Sequence, residues 1–530
     1  MKKEYSFMNM FWYGLFIFFL IALVPFGNGH KINIKNVEKD SFRMLISEEY
    51  RDIIEENPTI AKEFENVDYE YRNDIDIARA ISDGQYDAVW ISNSMWMYMS
   101  GLTPVESSSI AISPVVFALD DDIANKYNIK GQPVSNKYVL DMIREDDNIH
   151  FSISSVARSN TGATAYLNFL SALSGNPEIL TLEHIHKDEI QMIMHGLFDK
   201  ISRNAGSDSY VLSMYDRGDC NMLVATEASI IRHNLTSDRK LYMLYPTDGV
   251  GIVDSTLSFI GKSDKKATYD RIRDRLLSED VQQIMYSNGY RTWYGGTMKD
   301  VDGRIFNEDW GVNTQRVINV TSFPSKEIIN EALNNYITMF RTEALTVFVL
   351  DYSGSMYGEG YKQLTDAMSF ILNPQKSSKE FLQFSPKDTI YIVYFTNNKI
   401  NKEISVYNGE NSGDIIEDLY NINPNGRTPL YESLQEAYNL ARVFDNSVDS
   451  NNCPKSIILM TDGETTGKNF KSFKSWYETQ TDVSTIPVFT IAFGDANTEE
   501  LTEVAELTGG LAFDGRDNLL EAFRAIRGYN

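Results

Sequence analysis

The stretch Leu345–Met356, LTVFVLDYSGSM, limits the possible folds of this chain more than any other. It opens on an uninterrupted run, LTVFVL, the pattern of a strand buried on both faces. Such a strand needs helices on both sides of its sheet. It then stops at Asp351, Ser353 and Ser355, where the strand gives way to a loop. In doubly wound α/β sheets ligands sit beyond the carboxyl ends of the strands. A carboxylate and two hydroxyls at that place are hard oxygen donors of the kind Mg²⁺ takes.

The residues after this stretch repeat the alternation. Strands are predicted at 345–350, 389–395, 456–461, 487–493 and 511–513, and helices at 361–372, 413–420, 429–444, 470–480, 498–508 and 518–527. This pattern reads as a parallel sheet with helices on both faces. Two more oxygen donors reach the same sheet edge. Thr428, in GRTPL, stands at a loop–helix junction, and Asp462 follows the apolar strand SIILMT. Neutral hydroxyl ligands leave a bound ion electrophilic, so it can take a carboxylate from outside if Asp351 and Asp462 act partly through water. The six histidines, at 30, 150, 184, 186, 195 and 233, all lie in the first half, and no general base stands near these loops. The chemistry is that of binding.

DYSGSM, GRTPLYESL and ILMTDGE, in this order, resemble a von Willebrand factor type A domain with an intact metal-ion-dependent adhesion site. The resemblance implies a Rossmann-like doubly wound fold. It also implies a divalent cation, Mg²⁺ or else Mn²⁺ or Ca²⁺, held by Asp351, Ser353, Ser355, Thr428 and Asp462, and a protein partner that supplies an acidic residue. Tyr352 departs from the commonest motif, which has an aliphatic residue there; it is expected to shape the rim. Glu464 is read as a surface acid.

From Lys31 to about Gly296 strands and helices also alternate, which argues for parallel α/β layers. Strands are expected at 42–46, 86–91, 110–119, 151–155, 222–225 and 241–245. Ser159 caps a long helix, and Gly162 leaves its first turn open. Free N–H groups there make an anion site, although a plain capped helix accounts for the same residues. His184 and His186 do not share a helix face, so a solvated stretch accounts for them better than a metal site.

This region resembles the type 2 extracellular solute-binding proteins of bacteria, the two-lobed periplasmic-binding fold. SEEYRDI (47–53), DGQYDAVWISNS (83–94), SPVVFAL (113–119), RSNTGATAYLNFLSAL (158–173), VATEASIIRHN (224–234), LYPTDGVGIVDSTLSFI (244–260) and LLSEDVQQIMYSNGYRTW (276–293) fall in that family's order. The resemblance implies two lobes joined by crossing strands and closing on a solute. By position, the cleft candidates are Ser47, Ser92, Asn93, Ser159, Asn160, Thr161, Glu227 and Tyr245. Arg158 is the one arginine placed to take an anion, and it fits a solvent-facing position equally well.

Residues 297–342 form a junction: a polar stretch at 300–310, a strand at 316–320 and, after Pro324, a helix over 325–341. Ile328, Ile329, Leu333, Tyr336, Ile337 and Phe340 give that helix one apolar face, expected to pack on a lobe and fasten the two domains together. At the N-terminus, Lys2 and Lys3 precede the apolar run Phe11–Phe26. This is either a retained membrane anchor or a cleaved signal, and both place the rest outside the cytoplasm. A net charge of −25 argues against a nucleic-acid partner and against electrostatic binding to an anionic membrane surface. Cys220 and Cys453 are expected as free thiols.

The expected organisation is therefore a signal or anchor at 1–30, a solute-binding-like domain at 31–296, the junction, and a type A domain at 343–530. The function expected is that of an extracytoplasmic, non-catalytic binding protein, with no nucleophile–base pair to suggest an enzyme. The alternative is the substrate-binding component of an ABC-type uptake system with an accessory docking domain.

Overall fold

The computed structural model describes residues 41–530 apart from 202–204, 293–300, 315–317, 379–381, 406–411, 448–452, 463–468, 482, 484, 493, 495, 516–521, 524–525 and 527–530. The segment Phe11–Phe26, Glu464 and most of the helix expected at 518–527 lie outside these residues. Among the described residues no helix is long and apolar enough to cross a membrane.

The strands of the first half are β1 Arg43–Ser47, β2 Asp68–Arg72, β3 Ala88–Ile91, β4 Glu106–Ser109, β5 Ser113–Leu119, β6 Phe151–Ile153, β7 Met222–Thr226, β8 Tyr242–Leu244, β9 Ile252–Val253 and β10 Thr256–Phe259. They build two sheets. One has the order β2-β1-β3-β10-β4, and the other β6-β7-β5-β8 with β9 paired to β5. β1 pairs in parallel with β2 and β3, whereas β10 runs antiparallel to both β3 and β4. β5 runs antiparallel to β7 and β8. The expectation of parallel layers is thus corrected to mixed sheets. Apolar periodicity reports which faces are buried, not which way a strand runs. β2 (DYEYR) and β4 (ESSS) escaped prediction because they are polar edge strands, and β9 and β10 because they are only two and four residues long, although β10 is buried between β3 and β4.

The chain crosses between the two sheets at 110–112 and returns at Asp254–Ser255. The Ile110 N–H donates to the Ser255 carbonyl at 2.8 Å, and Ile112 and Arg291 exchange backbone hydrogen bonds at 2.8 and 2.9 Å. Each sheet has its own core. One gathers around Trp90, Tyr50 and Tyr269, the other around Phe117, Phe151 and Phe169.

The strand expected at 316–320 reduces, over its described residues, to a single bridge between Val320 and Val250. The helix Lys326–Asn335 starts at the Ser325 cap and ends in a wider π turn, Tyr336–Phe340. Its apolar face, Ile328 to Phe340, joins the Phe117 core of the second lobe. The Tyr166 hydroxyl donates to the Ala332 carbonyl at 3.0 Å. Directly afterwards Arg341 pairs with Asp388, both buried.

The third sheet holds β11 Leu345–Asp351, β12 Thr389–Thr396, β13 Lys399–Ser405, β14 Lys455–Thr461, β15 Val488–Ala492 and β16 Ala512–Asp514, in the order β13-β12-β11-β14-β15-β16. All pair in parallel except β13, which runs antiparallel to β12. Every residue of β11 is buried, with helices packed on both faces. β13 (KINKEIS) was missed because it is a polar edge strand. The signal for it is the pair Asn397–Asn398, with φ of 52° and 60°, as a two-residue hairpin requires. The third sheet also meets the second lobe. Leu511 touches both cores, and the Tyr210 hydroxyl donates to the Gly509 carbonyl at 3.2 Å.

Candidate metal centre and interlobe cleft

Asp351 is the last residue of β11 and is wholly buried. Its Oδ1 accepts from the Ser353 N–H at 2.8 Å, and its Oδ2 from the Thr461 hydroxyl at 2.6 Å. Loss of hydration raises its carboxyl pKa, opposed by these hydrogen bonds. Ser353 Oγ and Ser355 Oγ are 3.0 Å apart, and Ser355 Oγ donates to Asp462 Oδ1 at 2.9 Å. Ser353 is buried, while Ser355 faces solvent.

Thr428 reaches this edge on a loop stitched to the first. The Asn425 N–H donates to the Tyr352 carbonyl at 2.9 Å, and the Gly354 N–H to the Gly426 carbonyl at 3.1 Å. Gly426 has φ +88°, and a Cβ there would stand 2.6 Å from Asn398 N. Only a glycine lets this loop lie so close against the Asn397–Asn398 turn, from which its carbonyl reaches Gly354. Sequence reasoning passed over Thr461, which holds the second oxygen of Asp351, and Gly426. Thr461 precedes Asp462 in the motif itself, so its place was in view but its role was not.

The oxygen set fits a divalent cation. It combines two carboxylates with neutral hydroxyls, the donors hard ions prefer. No basic side chain among the described residues lies within ion-pairing distance of Asp351, which is therefore a buried acid without a compensating cation. Tyr352 is not at the rim. It is fully buried, with its ring 6.0 Å from those of both Tyr361 and Tyr394. The β11 pleat turns it inward.

The first-half candidates separate into two groups. Ser47, Ser159 and Asn160 line a cleft of about 490 Å³ that also includes Glu49, Asp74, Arg158, Asp208, Arg232, Tyr290 and, from β16, Phe513. The others do not line it. Ser92 is buried and gives both its N–H (3.0 Å) and its hydroxyl to Asp74 Oδ2. Asn93 is buried and donates to Thr164 Oγ1 at 3.1 Å and to the Ile252 carbonyl at 3.0 Å. Thr161 donates to Asp208 Oδ2 at 3.2 Å. Ser92 and Thr161 stand behind the cleft and orient Asp74 and Asp208, which face it.

Glu227 and Tyr245 are elsewhere. Both are buried, with the Tyr245 hydroxyl donating to Glu227 and Glu227 paired to Arg291. Arg158 does not face solvent: it is 7% exposed and 3.5 Å from Asp76. Asp74, which sequence reasoning missed, has its carboxyl pushed up to about 6 by burial, against the pull of Ser92. Its cue was an Asn73 cap before an acid at a helix start. His186 sits 3.1 Å from Glu331 at the surface, and among the described residues no three His, Cys, Asp or Glu converge as for a metal. Cys220 and Cys453 are free thiols.

Residues 346–521 match the family model of the von Willebrand factor type A domain, and residues 49–291 that of a bacterial extracellular solute-binding protein. No curated protein matches. Among solved structures, the ferric binding protein from Campylobacter jejuni is 13% identical with a TM-score of 0.41, covering 56% of this chain and 98% of that one. The apo ferric ion-binding protein A of Pasteurella haemolytica is 11% identical with a TM-score of 0.40, covering 56% and 98%. The periplasmic binding protein AfuA from Actinobacillus pleuropneumoniae, with exogenous fructose-6-phosphate bound, is 13% identical with a TM-score of 0.40, again covering 56% and 98%. The chain therefore joins a bacterial extracellular solute-binding domain to a Rossmann-like von Willebrand factor type A domain.

Proposed function

We propose that this is an extracytoplasmic, non-catalytic binding protein in which the type A domain holds a divalent cation and, through it, an acidic residue of a protein partner. The observation that carries this reading is the run Ser353–Ser355–Asp462 in hydrogen-bond contact beside a buried Asp351 that has no cationic partner among the described residues. Asp351, Ser353, Ser355, Thr428 and Asp462 would hold the ion, taken as Mg²⁺. The ion supplies a Lewis-acidic position for an incoming carboxylate. The chain's own residues orient that position, since Thr461 and the Ser353 N–H fix Asp351. The extracellular solute-binding domain supports a location outside the cytoplasm. The N-terminal segment would provide the anchor or the export signal.

The test is partner binding by the full chain with Mg²⁺ and with excess chelator, alongside Asp351→Ala. Binding should need Mg²⁺ and be lost in the variant; binding unchanged in chelator would overturn the reading. Uptake is the second reading, favoured by the cleft of about 490 Å³ in the solute-binding domain. It predicts that a solute raises the melting temperature of the full chain with no dependence on Mg²⁺.

A further inference from the structure

The chemistry of the ligand inferred for the first-half cleft rests on the reading of that cleft as a solute site. Residues at or beside four helix starts line it: Ser47–Glu49, Asn73–Asp74, Ser159–Asn160 and Ser207–Ser209. Helix N-termini favour anions. Here the caps already accept first-turn N–H groups: Ser47 from Glu49, Asn73 from Asp76, Ser159 from Gly162 and Ser207 from Tyr210. The chain's own acids occupy the rest of these positions, so an entering anion would meet Glu49, Asp74 and Asp208.

The arginines of the cleft offset this only in part: Arg232 draws the Glu49 and Asp208 carboxyls down against the larger effect of burial, and the others have acids of their own beside them. Arg51 stands between Glu48 and Glu55, at 4.0 and 3.9 Å, and Arg158 is beside Asp76. Arg232 donates to the Asn288 carbonyl at 3.0 Å and to Ser229 Oγ at 3.2 Å, with its guanidinium over Tyr290. Desolvation first, and then the like charges of Asp74 and Asp208, push the Glu49 carboxyl well above the usual range.

The buried polar atoms of this lining with no hydrogen-bond partner among the described residues include Asp74 Oδ1, an acceptor, and Asn160 Nδ2, a donor. Both side chains are 4% exposed. Their orientations are set from behind. Ser92 holds Asp74 Oδ2, and the Trp96 indole N–H donates to Asn160 Oδ1 at 3.1 Å, which leaves the amide nitrogen directed away. An orphaned buried acceptor and donor each cost stability unless a ligand completes them. Among the described residues no three acids converge as a metal site would require. The carboxylates are spread out, which suits an extended molecule, and the volume suits a small one.

We propose that the cleft binds a small organic cation bearing a primary ammonium group and a hydrogen-bond acceptor, of which a basic amino acid is the simplest example. The ammonium donates to Asp74 Oδ1 in the field of Glu49 and Asp208, and the acceptor takes the Asn160 amide. Phe513, from β16 of the type A domain, lines the same cleft, so the bound cation touches both domains.

The experiment is thermal melting of the full chain with L-lysine, L-arginine or ethanolamine, against potassium sulfate and citrate. The cations should raise the melting temperature in a dose-dependent way. Asp74→Asn should weaken the response about tenfold or more, the usual loss when a charge-assisted hydrogen bond goes. A tryptophan placed by Phe513→Trp should change its emission as L-lysine is added, a readout that stands even if Asp74→Asn folds poorly. Stabilisation by sulfate or citrate but not by the cations would overturn this ligand class and leave the solute reading intact. An L-lysine response undiminished in a folded Asp74→Asn would overturn the siting. No response to any of the five compounds, with silent Phe513→Trp emission, would overturn the proposal and count against the solute reading as well.

Discussion

Glu227 and Arg291 form a doubly hydrogen-bonded ion pair, Nε to Oε1 at 2.7 Å and Nη2 to Oε2 at 2.6 Å, with neither side chain exposed to solvent. Glu227 opens a helix of the second lobe. Arg291 is the residue whose backbone bridges to Ile112, where the chain crosses between lobes. The pair thus ties the second lobe to the crossing. In Glu227→Gln the guanidinium keeps an acceptor but loses its counter-charge, and in Glu227→Ala it loses both. Breaking a buried pair by one partner costs about 3–5 kcal/mol. Urea denaturation should show Glu227→Ala destabilised by that amount and Glu227→Gln by less.

Asp351 sets stability against metal binding. Without a cation its carboxylate is a buried charge with only hydrogen bonds to offset it. Asp351→Asn should therefore melt at or above the wild-type temperature in chelator. Mg²⁺ at about a hundredfold over its Kd should stabilise the wild type by about 2.7 kcal/mol and the variant not at all. Calorimetric melts with and without Mg²⁺ measure both effects.

Gly426 is where the two metal loops close on each other. In Gly426→Ala the new Cβ meets Asn398 N, and the backbone keeps a φ of +88° that L residues rarely adopt. A destabilisation of about 1–3 kcal/mol is expected. Mg²⁺ affinity should fall too, because the Gly426 carbonyl holds the Gly354 N–H between Ser353 and Ser355. Denaturant melts and Mg²⁺ calorimetry separate the two losses.

Asp74 makes stability depend on pH. Burial raises its carboxyl from 3.8 to about 6, so between these values the folded chain holds a proton that the unfolded chain has released. Stability from this group is present below about pH 4 and is lost as pH rises through about 6. Glu49 and Asp208 are shifted in the same direction. In melts from pH 4 to 7, Asp74→Asn should flatten part of the slope and leave the share due to the other two.

How far each element could be read in advance depends on how its signal is encoded. A strand buried on both faces must be apolar throughout, so β11, β12, β14 and β15 announce themselves, and each metal-ligand candidate stands beside a strand end or helix start. The polar edge strands β2, β4 and β13 carry no such mark. Glu227 matched a ligand position in sequence, yet the nearest complement to its charge is Arg291, far along the chain, and the pair closes on itself away from the cleft.

Local pattern was sufficient for the layered α/β architecture, for the oxygen donors at one sheet edge, and for the helix that leads into β11. These are properties of short segments, written in burial period and residue type. Strand direction in the first two sheets, the inward turn of Tyr352, the Glu227–Arg291 pair and the place of Phe513 in the cleft came only with the folded chain. Each depends on groups distant in sequence meeting in space, and the balance of charge and packing there is settled by the whole molecule.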